Sequence, residues 1–238
     1  MLGPPSSRSI DSRHVKYVDS FQELLDVRFS DGVNALCWRR NLPGDFDAVA
    51  RKLRHHKTIT PLETSTLLGL ELDAAGTTAR AQMIADQTLL RDAGLQPSLE
   101  IVPGYDPQLE SQPVSTDVCS WHADSATGEA DTYLCSYNQA CSEGLPNEQA
   151  RRKVDNPEIR ARLLALYQGA DDPLFEAWLN DQCFDLHYES ASDARPYRFG
   201  FGNLWRIATL YPQSPVPPCI HRAPSRVASS IPRLLLIS

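Results

Sequence analysis

Residues 120–138 read SWHADSATGEADTYLCSYN and combine a polar motif with an apolar run. The motif places an imidazole and a carboxylate, His122 and Asp124, two residues apart, and the apolar run begins at Thr132. On an extended chain, residues i and i+2 face the same side, so both side chains can point inward while Ala123 points away. A His-x-Asp pair is common by chance, so the motif alone does not separate a metal site from a polar turn.

Short apolar runs continue outward from this stretch, with turn residues such as Gly and Pro between them. This spacing is typical of an antiparallel barrel or jelly roll. We therefore expect a mainly β fold with flanking helices, formed as one domain over residues 1–238 after a disordered segment 1–10. The predicted strands are 32–38, 99–102, 132–137, 204–210 and 234–237.

Helical patterns occupy the N-terminal part and one internal block. Helices are predicted over 45–54 and over 78–93, the latter ended by Gly94. The block 146–189 is also helical in pattern, with two Asx-Pro starts at Asn156 and Asp172. Because about 40 residues are too few to bury an independent core, we interpret this block as a helical insertion between strands.

Composition restricts the class of partner and the compartment. The 23 basic and 30 acidic residues give a formal charge of −7, which argues against nucleic acid and anionic membrane surfaces as partners. No run of about 20 apolar residues is present to span a bilayer. Six cysteines without a C-x-x-C pair favour buried free thiols. We expect a cytoplasmic protein that binds a small molecule.

A third inward ligand would complete a metal-binding face. His221 is the best placed candidate, because it follows a proline turn and leads toward the final strand, whereas His187 and His56 are less well placed. Two histidines and one carboxylate that leave positions open form the facial triad of non-haem Fe(II) oxygenases. These ligand types alone do not separate iron from manganese or cobalt.

Four blocks of the sequence resemble the core of the 2-oxoglutarate-dependent Fe(II) oxygenases. The resemblance covers roughly residues 100–238 and leaves 146–189 unmatched. The blocks are WHAD at 121–124, GNLWRI at 202–207, IHRAP at 220–224 and RLLL at 233–236.

This resemblance implies a double-stranded β-helix, Fe(II) as cofactor, and 2-oxoglutarate and O₂ as co-substrates. It implies His122, Asp124 and His221 as iron ligands and Arg233 as the partner of the distal carboxylate of 2-oxoglutarate. A guanidinium suits that role because it meets a carboxylate with two parallel hydrogen bonds. The family often has Ser or Thr two residues after this arginine, and here that position is Leu235.

Two further residues are candidates for the binding site. Tyr133 could supply the second 2-oxoglutarate contact, although an aromatic residue that fills the core is an equal alternative. Arg206 alternates with Trp205 and could hold a substrate carboxylate if it faces inward; otherwise it is a surface residue.

The expected activity is oxidation of a small molecule, an amino acid among the candidates, by hydroxylation, desaturation or cyclisation. One alternative is a cupin-like isomerase or a dioxygenase without 2-oxoglutarate, in which Arg233 would be structural. Another is a non-catalytic ligand-binding barrel, which the set of three converging polar ligands argues against.

Overall fold

The helices and strands follow from a computed structural model that describes residues 13–53, 58–103, 113–224 and 231–238. The predictions for residues 1–10, for the end of the helix at Arg54 and for His56 lie outside the described residues. The described strands are β1 (Val15–Val18), β2 (Ala35–Trp38), β3 (Thr60–Pro61), β4 (Ser98–Val102), β5 (Trp121–His122), β6 (Asp131–Ser136), β7 (Glu143–Leu145), β8 (Ala150–Arg152), β9 (His187–Ser190), β10 (Tyr197–Arg198), β11 (Leu204–Ala208), β12 (Ile220–Arg222) and β13 (Arg233–Ile237). The described helices are α1 (Phe21–Asp26), α2 (Phe46–Lys52), α3 (Thr64–Leu68), α4 (Ala74–Asp92), α5 (Pro157–Tyr167) and α6 (Pro173–Asp181).

The described strands form two sheets. The seven-stranded sheet has the order β1-β2-β11-β6-β13-β4-β3, and the six-stranded sheet has the order β10-β7-β12-β5-β9-β8. Among the strand pairs of the described residues, β1 with β2 is parallel and the other pairs are antiparallel. The fold is therefore mixed α+β and rich in antiparallel strands, with helices beside the sheets, which confirms the coarse prediction.

The seven-stranded sheet separates two apolar clusters. Tyr133 and Cys135 of β6 pack toward the helices, in one cluster with Val49 of α2 and Met83 of α4. Leu134, between them in sequence, belongs to the cluster on the opposite face, where residues of β10 and β11 also pack. This alternation follows from the two-residue period of a strand, and it decides which side chains can reach the space between the sheets.

A buried ion pair fixes α4 against the seven-stranded sheet. Arg40 Nη1 lies 2.7 Å from Asp86 Oδ1, and both side chains are almost fully buried. The Tyr137 hydroxyl donates to the other carboxylate oxygen of Asp86 at 2.7 Å. Removal of either charged partner would leave the other buried without an opposite charge, which typically costs about 3 to 5 kcal/mol.

Five of the six described helices begin at a residue whose side chain caps the first turn. Asp45 and Asp73 accept hydrogen bonds from the backbone amides of Ala48 and Gly76, at the starts of α2 and α4. α4 thus begins at Ala74, four residues before the predicted start at Thr78. No helix within the described ranges combines the length and apolarity that a membrane span requires.

The block 146–189 contains more than the predicted helices. α5 and α6 begin at the predicted Asn156 and Asp172 caps. The block also contains β8 and β9, so the purely helical prediction is wrong at its two ends. β9 pairs with β5 and places His187 opposite His122. The insertion therefore contributes two strands to the six-stranded sheet, and β9 lies next to the strand that carries the His-x-Asp motif.

Candidate metal centre

Two neighbouring strands bring the three predicted ligands together. His122 lies in β5, Asp124 follows this strand, and His221 lies in β12 directly opposite His122. One potential ligand atom from each of the three residues lies within 4.8 Å of the others. Within the described ranges, this is the one group of three or more His, Cys, Asp or Glu residues with such a geometry.

Backbone carbonyls fix the tautomers of the two histidines. His122 Nδ1 lies 2.8 Å from the carbonyl oxygen of Ser120, and His221 Nδ1 lies 3.2 Å from that of Cys219. A carbonyl oxygen can only accept, so each Nδ1 carries the proton and each Nε2 keeps its lone pair. Both Nε2 atoms lie 3.8 Å from Asp124, one from each carboxylate oxygen. This is the arrangement that a histidine needs as a metal ligand.

The electrostatics of the three groups also suit a divalent cation. Burial lowers the pKa of His122 to about 4, with the neighbouring His221 as the next cause, so the His122 ring is neutral at pH 7. Burial opposes ionisation of Asp124, but His221, the Thr132 hydroxyl and His122 outweigh it, and the pKa lies below the usual value. A neutral imidazole and a carboxylate are the protonation states that bind a metal ion.

Arg233 lies in the same cavity as the three ligands. The cavity has a volume of about 160 Å³, and its lining includes His122, Asp124, His221 and Arg233. The Arg233 side chain is buried, and its Nη2 donates to the hydroxyls of Ser136 at 3.1 Å and Ser142 at 2.7 Å. The predicted inward orientation of Arg233 therefore agrees with its place at the start of β13.

Arg206 lies on the helix-facing side of the seven-stranded sheet. Its Nε donates to Asp131 at 2.7 Å, and its Nη1 donates to the carbonyl oxygens of Leu24, Leu25 and Val27 at the end of α1. The guanidinium is thus committed to a carboxylate and a helix C-terminus. The prediction of a substrate contact for Arg206 is wrong.

Tyr133 lies beside Arg206 and faces the same way. Its ring belongs to the helix-facing cluster, 6.0 Å from the Arg206 guanidinium carbon, and it does not line the cavity that contains Arg233. The alternative reading, an aromatic residue in the core, is the correct one. Tyr133 is therefore not placed to contact 2-oxoglutarate in this cavity.

Sequence reasoning missed several residues that support the ligands. Thr132 donates a 2.6 Å hydrogen bond to Asp124 Oδ2, and it is the inward neighbour of Tyr133 on β6. Ser136 and Ser142 contact Arg233. Hydroxyl residues are common in loops and strands, so the chain carries no local signal for these roles. Only the tertiary structure identifies them.

A second cavity adjoins the ligands on the side of the insertion. Its volume is about 450 Å³, and its lining includes His122 and Asp124 together with Cys183, Leu186 and His187. The His187 ring centroid lies 5.8 Å from that of His122. Burial, followed by the nearby His122, lowers the pKa of His187 to about 4. His187, which the sequence suggested only as a lesser candidate, is thus a neutral neighbour of the ligand set.

Comparison with known proteins identifies a structural neighbour of the chain among solved structures. No protein-family model matches the chain, and no curated protein matches it. The chain is similar to the apo structure of the Kdo hydroxylase KdoO, described as a non-heme Fe(II) alphaketoglutarate-dependent dioxygenase. The TM-score is 0.43 and the sequence identity 12%, over 94% of this chain and 88% of that chain. In its sequence blocks and its His-Asp-His set, the chain resembles the non-haem Fe(II) and 2-oxoglutarate-dependent oxygenases.

Proposed function

We propose that the chain is an Fe(II)- and 2-oxoglutarate-dependent oxygenase that uses O₂ to oxidise a small molecule. The observation that carries the proposal is that Arg233 lines the same cavity as His122, Asp124 and His221. A metal that keeps open positions next to a buried guanidinium can bind a molecule with a chelating end and a carboxylate end. 2-Oxoglutarate has both ends.

The strand order supports a double-stranded β-helix formed by one domain. In the seven-stranded sheet, β4, β13, β6 and β11 are consecutive neighbours, and in the six-stranded sheet β5, β12, β7 and β10 are. Within each set, strands from the earlier part of this region (β4 to β7) alternate with strands from the later part (β10 to β13). This alternation is the connectivity of a jelly roll. We propose that these eight strands are the catalytic core and that the other strands extend it.

The residues of the chain have distinct parts in this proposal. His122, Asp124 and His221 would hold Fe(II), which when bound supplies a site for 2-oxoglutarate and for the reduction of O₂. Arg233 binds the distal carboxylate, and Ser136 and Ser142 hold its guanidinium in place.

Other lining residues protect and orient this site. Thr132 fixes the orientation of the Asp124 carboxylate through its hydrogen bond. The apolar lining residues Val102, Leu134 and Ile237 limit the access of water to the reacting groups.

We also infer a reducing compartment, the cytoplasm. All six cysteines are free, and none of them forms a bridge. Disulfides are rare in reducing compartments, so free thiols are compatible with a cytoplasmic protein. The proposed partner is a small molecule, in agreement with the cavities beside the ligands.

The test of the metal site is anaerobic addition of Fe(II), then 2-oxoglutarate, to the metal-free chain. We expect one iron per chain and then the weak visible charge-transfer band of the iron chelate. His122→Ala, Asp124→Ala and His221→Ala should each abolish stoichiometric iron binding, whereas His14→Ala, outside the site, should not. Full iron occupancy in any two of the three variants would refute the ligand assignment.

The test of the co-substrate site is Arg233→Ala, with Arg222→Ala as its matched control. Arg222 is on β12 in the other sheet, and its guanidinium pairs with Glu143 and stacks on Trp121, away from the ligands. Loss of the charge-assisted contact in Arg233→Ala should weaken 2-oxoglutarate binding roughly ten- to a hundredfold. Iron binding should persist, and Arg233→Lys should recover part of the affinity. Unchanged 2-oxoglutarate affinity in Arg233→Ala would favour a metal enzyme that does not use this co-substrate.

A further inference from the structure

The Ser120 hydroxyl determines which nitrogen of His187 carries the proton. Ser120 Oγ lies 2.6 Å from His187 Nδ1, and also 3.1 Å from the carbonyl oxygen of Ser115 and 3.0 Å from that of Asp117. The hydroxyl has one proton, and neither carbonyl can donate. If that proton pointed at His187, two carbonyl oxygens would face the lone pairs of the hydroxyl oxygen. The hydroxyl therefore donates to a carbonyl and accepts from Nδ1–H of His187.

This assignment leaves His187 Nε2 as a hydrogen-bond acceptor. In a neutral imidazole one nitrogen donates and the other accepts. Nε2 makes no hydrogen bond to another described residue. It is also not one of the fully buried atoms without a hydrogen-bond partner, so a molecule in the cavity can reach it. His187 lines the cavity of about 450 Å³ beside the ligands. An acceptor there without a partner in the protein is positioned to receive a proton donor from a bound molecule.

The rest of the cavity lining restricts the chemical class of that molecule. Apart from His122, Asp124 and His187, the lining residues within the described part of the chain have uncharged side chains. They combine apolar side chains, among them Val118 and Leu186, with hydroxyls, among them Ser125. A carboxylate or phosphate on the ligand would find no cationic side chain in this lining. Arg206, the expected partner for a substrate carboxylate, lies on the other face of the sheet.

We propose that His187 is a specificity-determining residue: its Nε2 accepts a hydrogen bond from a hydroxyl group of an uncharged small molecule bound in this cavity. The inference rests on the proposed function and deepens it, because it assigns uncharged alcohols as the substrate class of the oxygenase. It also assigns a role to the insertion, since β9 carries His187. An amino acid with a free carboxylate fits this lining poorly.

A matched pair of substitutions separates the two nitrogens of the ring. The amide nitrogen of an Asn side chain reaches the position of Nδ1, so His187→Asn keeps a donor to Ser120 and removes the acceptor in the cavity. The amide oxygen of a Gln side chain reaches the position of Nε2, so His187→Gln keeps the acceptor. The probes are 1,5-pentanediol and 1,5-dimethoxypentane, which share a carbon chain but differ in hydroxyl donors. Ligand-observed NMR titrations measure their affinities for the full chain, both without metal and with zinc(II) in place of Fe(II).

We expect the native chain to bind 1,5-pentanediol more tightly than 1,5-dimethoxypentane. Loss of one hydrogen bond in His187→Asn should weaken diol binding by about five- to tenfold, while His187→Gln retains most of the affinity. Equal affinity for both probes, no binding of the diol, or full diol affinity in His187→Asn would overturn the proposal. The zinc(II) affinity is measured separately by calorimetry, so failure of the metal site is distinguished from failure of the His187 contact.

A second measurement does not depend on how the variants fold. Long-range ¹H–¹⁵N spectra of the histidine side chains of the native chain identify the tautomer of His187. We expect a proton on Nδ1 and none on Nε2, with the Nε2 resonance shifting when the diol is added. A proton on Nε2, or an Nε2 resonance that does not respond to the diol, would contradict the proposed contact.

Discussion

Thr132 is the residue on which the orientation of the Asp124 carboxylate depends. Its hydroxyl donates to Oδ2 at 2.6 Å, and the two carboxylate oxygens then face different histidines, His122 and His221. Such supporting contacts of a metal ligand commonly change metal affinity ten- to a hundredfold. Thr132 thus supports the proposed metal site without being one of the proposed ligands.

We predict that Thr132→Val weakens zinc(II) binding to the chain by about tenfold, because valine keeps the shape of threonine and loses the hydroxyl. Calorimetric titration of the metal-free chain measures this affinity. Thr209→Val is the control, since Thr209 is also buried and its hydroxyl donates to the carbonyl oxygen of Ala130 instead. Equal affinities of the two variants would show that the Asp124 contact is irrelevant to metal binding.

Three residues, His122, Tyr133 and Arg206, show how far the sequence could predict the candidate site. The His-x-Asp spacing correctly placed His122 and Asp124 together, because the spacing itself requires one face. For Tyr133 and Arg206 the same alternation rule identifies which neighbours share a face, but it does not say which face is inward. Both strands are apolar on both faces, since helices cover one face and the six-stranded sheet lies toward the other. The choice of face therefore depends on tertiary structure.

The stability of α1 depends on one side chain from a distant strand. The helix has six residues, which is too short to be stable in isolation. Arg206 of β11 donates to three carbonyl oxygens near its C-terminal end and to Asp131 of β6. A cation at this end also interacts favourably with the helix dipole. Arg206 is thus a structural residue that connects α1 to the sheet.

We predict that Arg206→Met lowers the free energy of unfolding by about 2 to 4 kcal/mol at neutral pH, because Asp131 and the helix carbonyls lose their donor. Zinc(II) affinity should stay unchanged. Urea unfolding and calorimetry of the variant measure the two effects, and Arg198→Met, at an exposed arginine, is the control. A large loss of metal affinity with normal stability would instead place Arg206 in the site.

The same variant should show a defined pH dependence. Burial is the main cause that raises the pKa of Asp131, and Arg206 opposes it. Without Arg206 this pKa rises further. A folded-state pKa above the unfolded value stabilises the fold at low pH, and this stabilisation is lost as the pH rises through the folded value. The destabilisation by Arg206→Met should therefore be larger at pH 8 than at pH 5, and the opposite trend would contradict this account.

Element length explains which parts of the fold the sequence could predict. The five-residue strands β4, β11 and β13 were predicted, since their apolar runs are long enough to show a pattern. β5 has two residues and β12 has three, so neither contains a full period. These short strands exist because a neighbouring strand supplies their hydrogen bonds. The proposed metal site thus lies on the elements that local sequence patterns predict least well.

The burial of the cysteines shows how completely the sheets and helices are packed against one another. Cys37, Cys135, Cys141 and Cys219 are buried, whereas Cys183 is exposed at the end of the insertion. Burial raises the pKa of the Cys135 and Cys219 thiols to about 12. A thiol must ionise to react with an alkylating reagent, so these buried thiols are protected by both access and acidity.

We predict that iodoacetamide at pH 8 modifies Cys183 first in the native chain. The four buried thiols should react at least tenfold more slowly, and all six should react at similar rates in denaturant. Mass spectrometry of peptides from timed samples measures each rate, and Cys183→Ser should remove the fastest phase. Rapid modification of Cys135 or Cys219 in the native chain would show that the sheets separate readily.

The central position of β13 has a consequence for synthesis on the ribosome. β13 lies between β6 and β4, yet it follows β6 in the chain by about 100 residues and β4 by about 130, or roughly 5 to 25 s at typical translation rates. During that interval two strand edges that will later be paired stay open to other nascent chains. The strand that closes this gap also carries Arg233. Closure of the sheet and completion of the proposed co-substrate site therefore occur together, late in the folding of the newly synthesised chain.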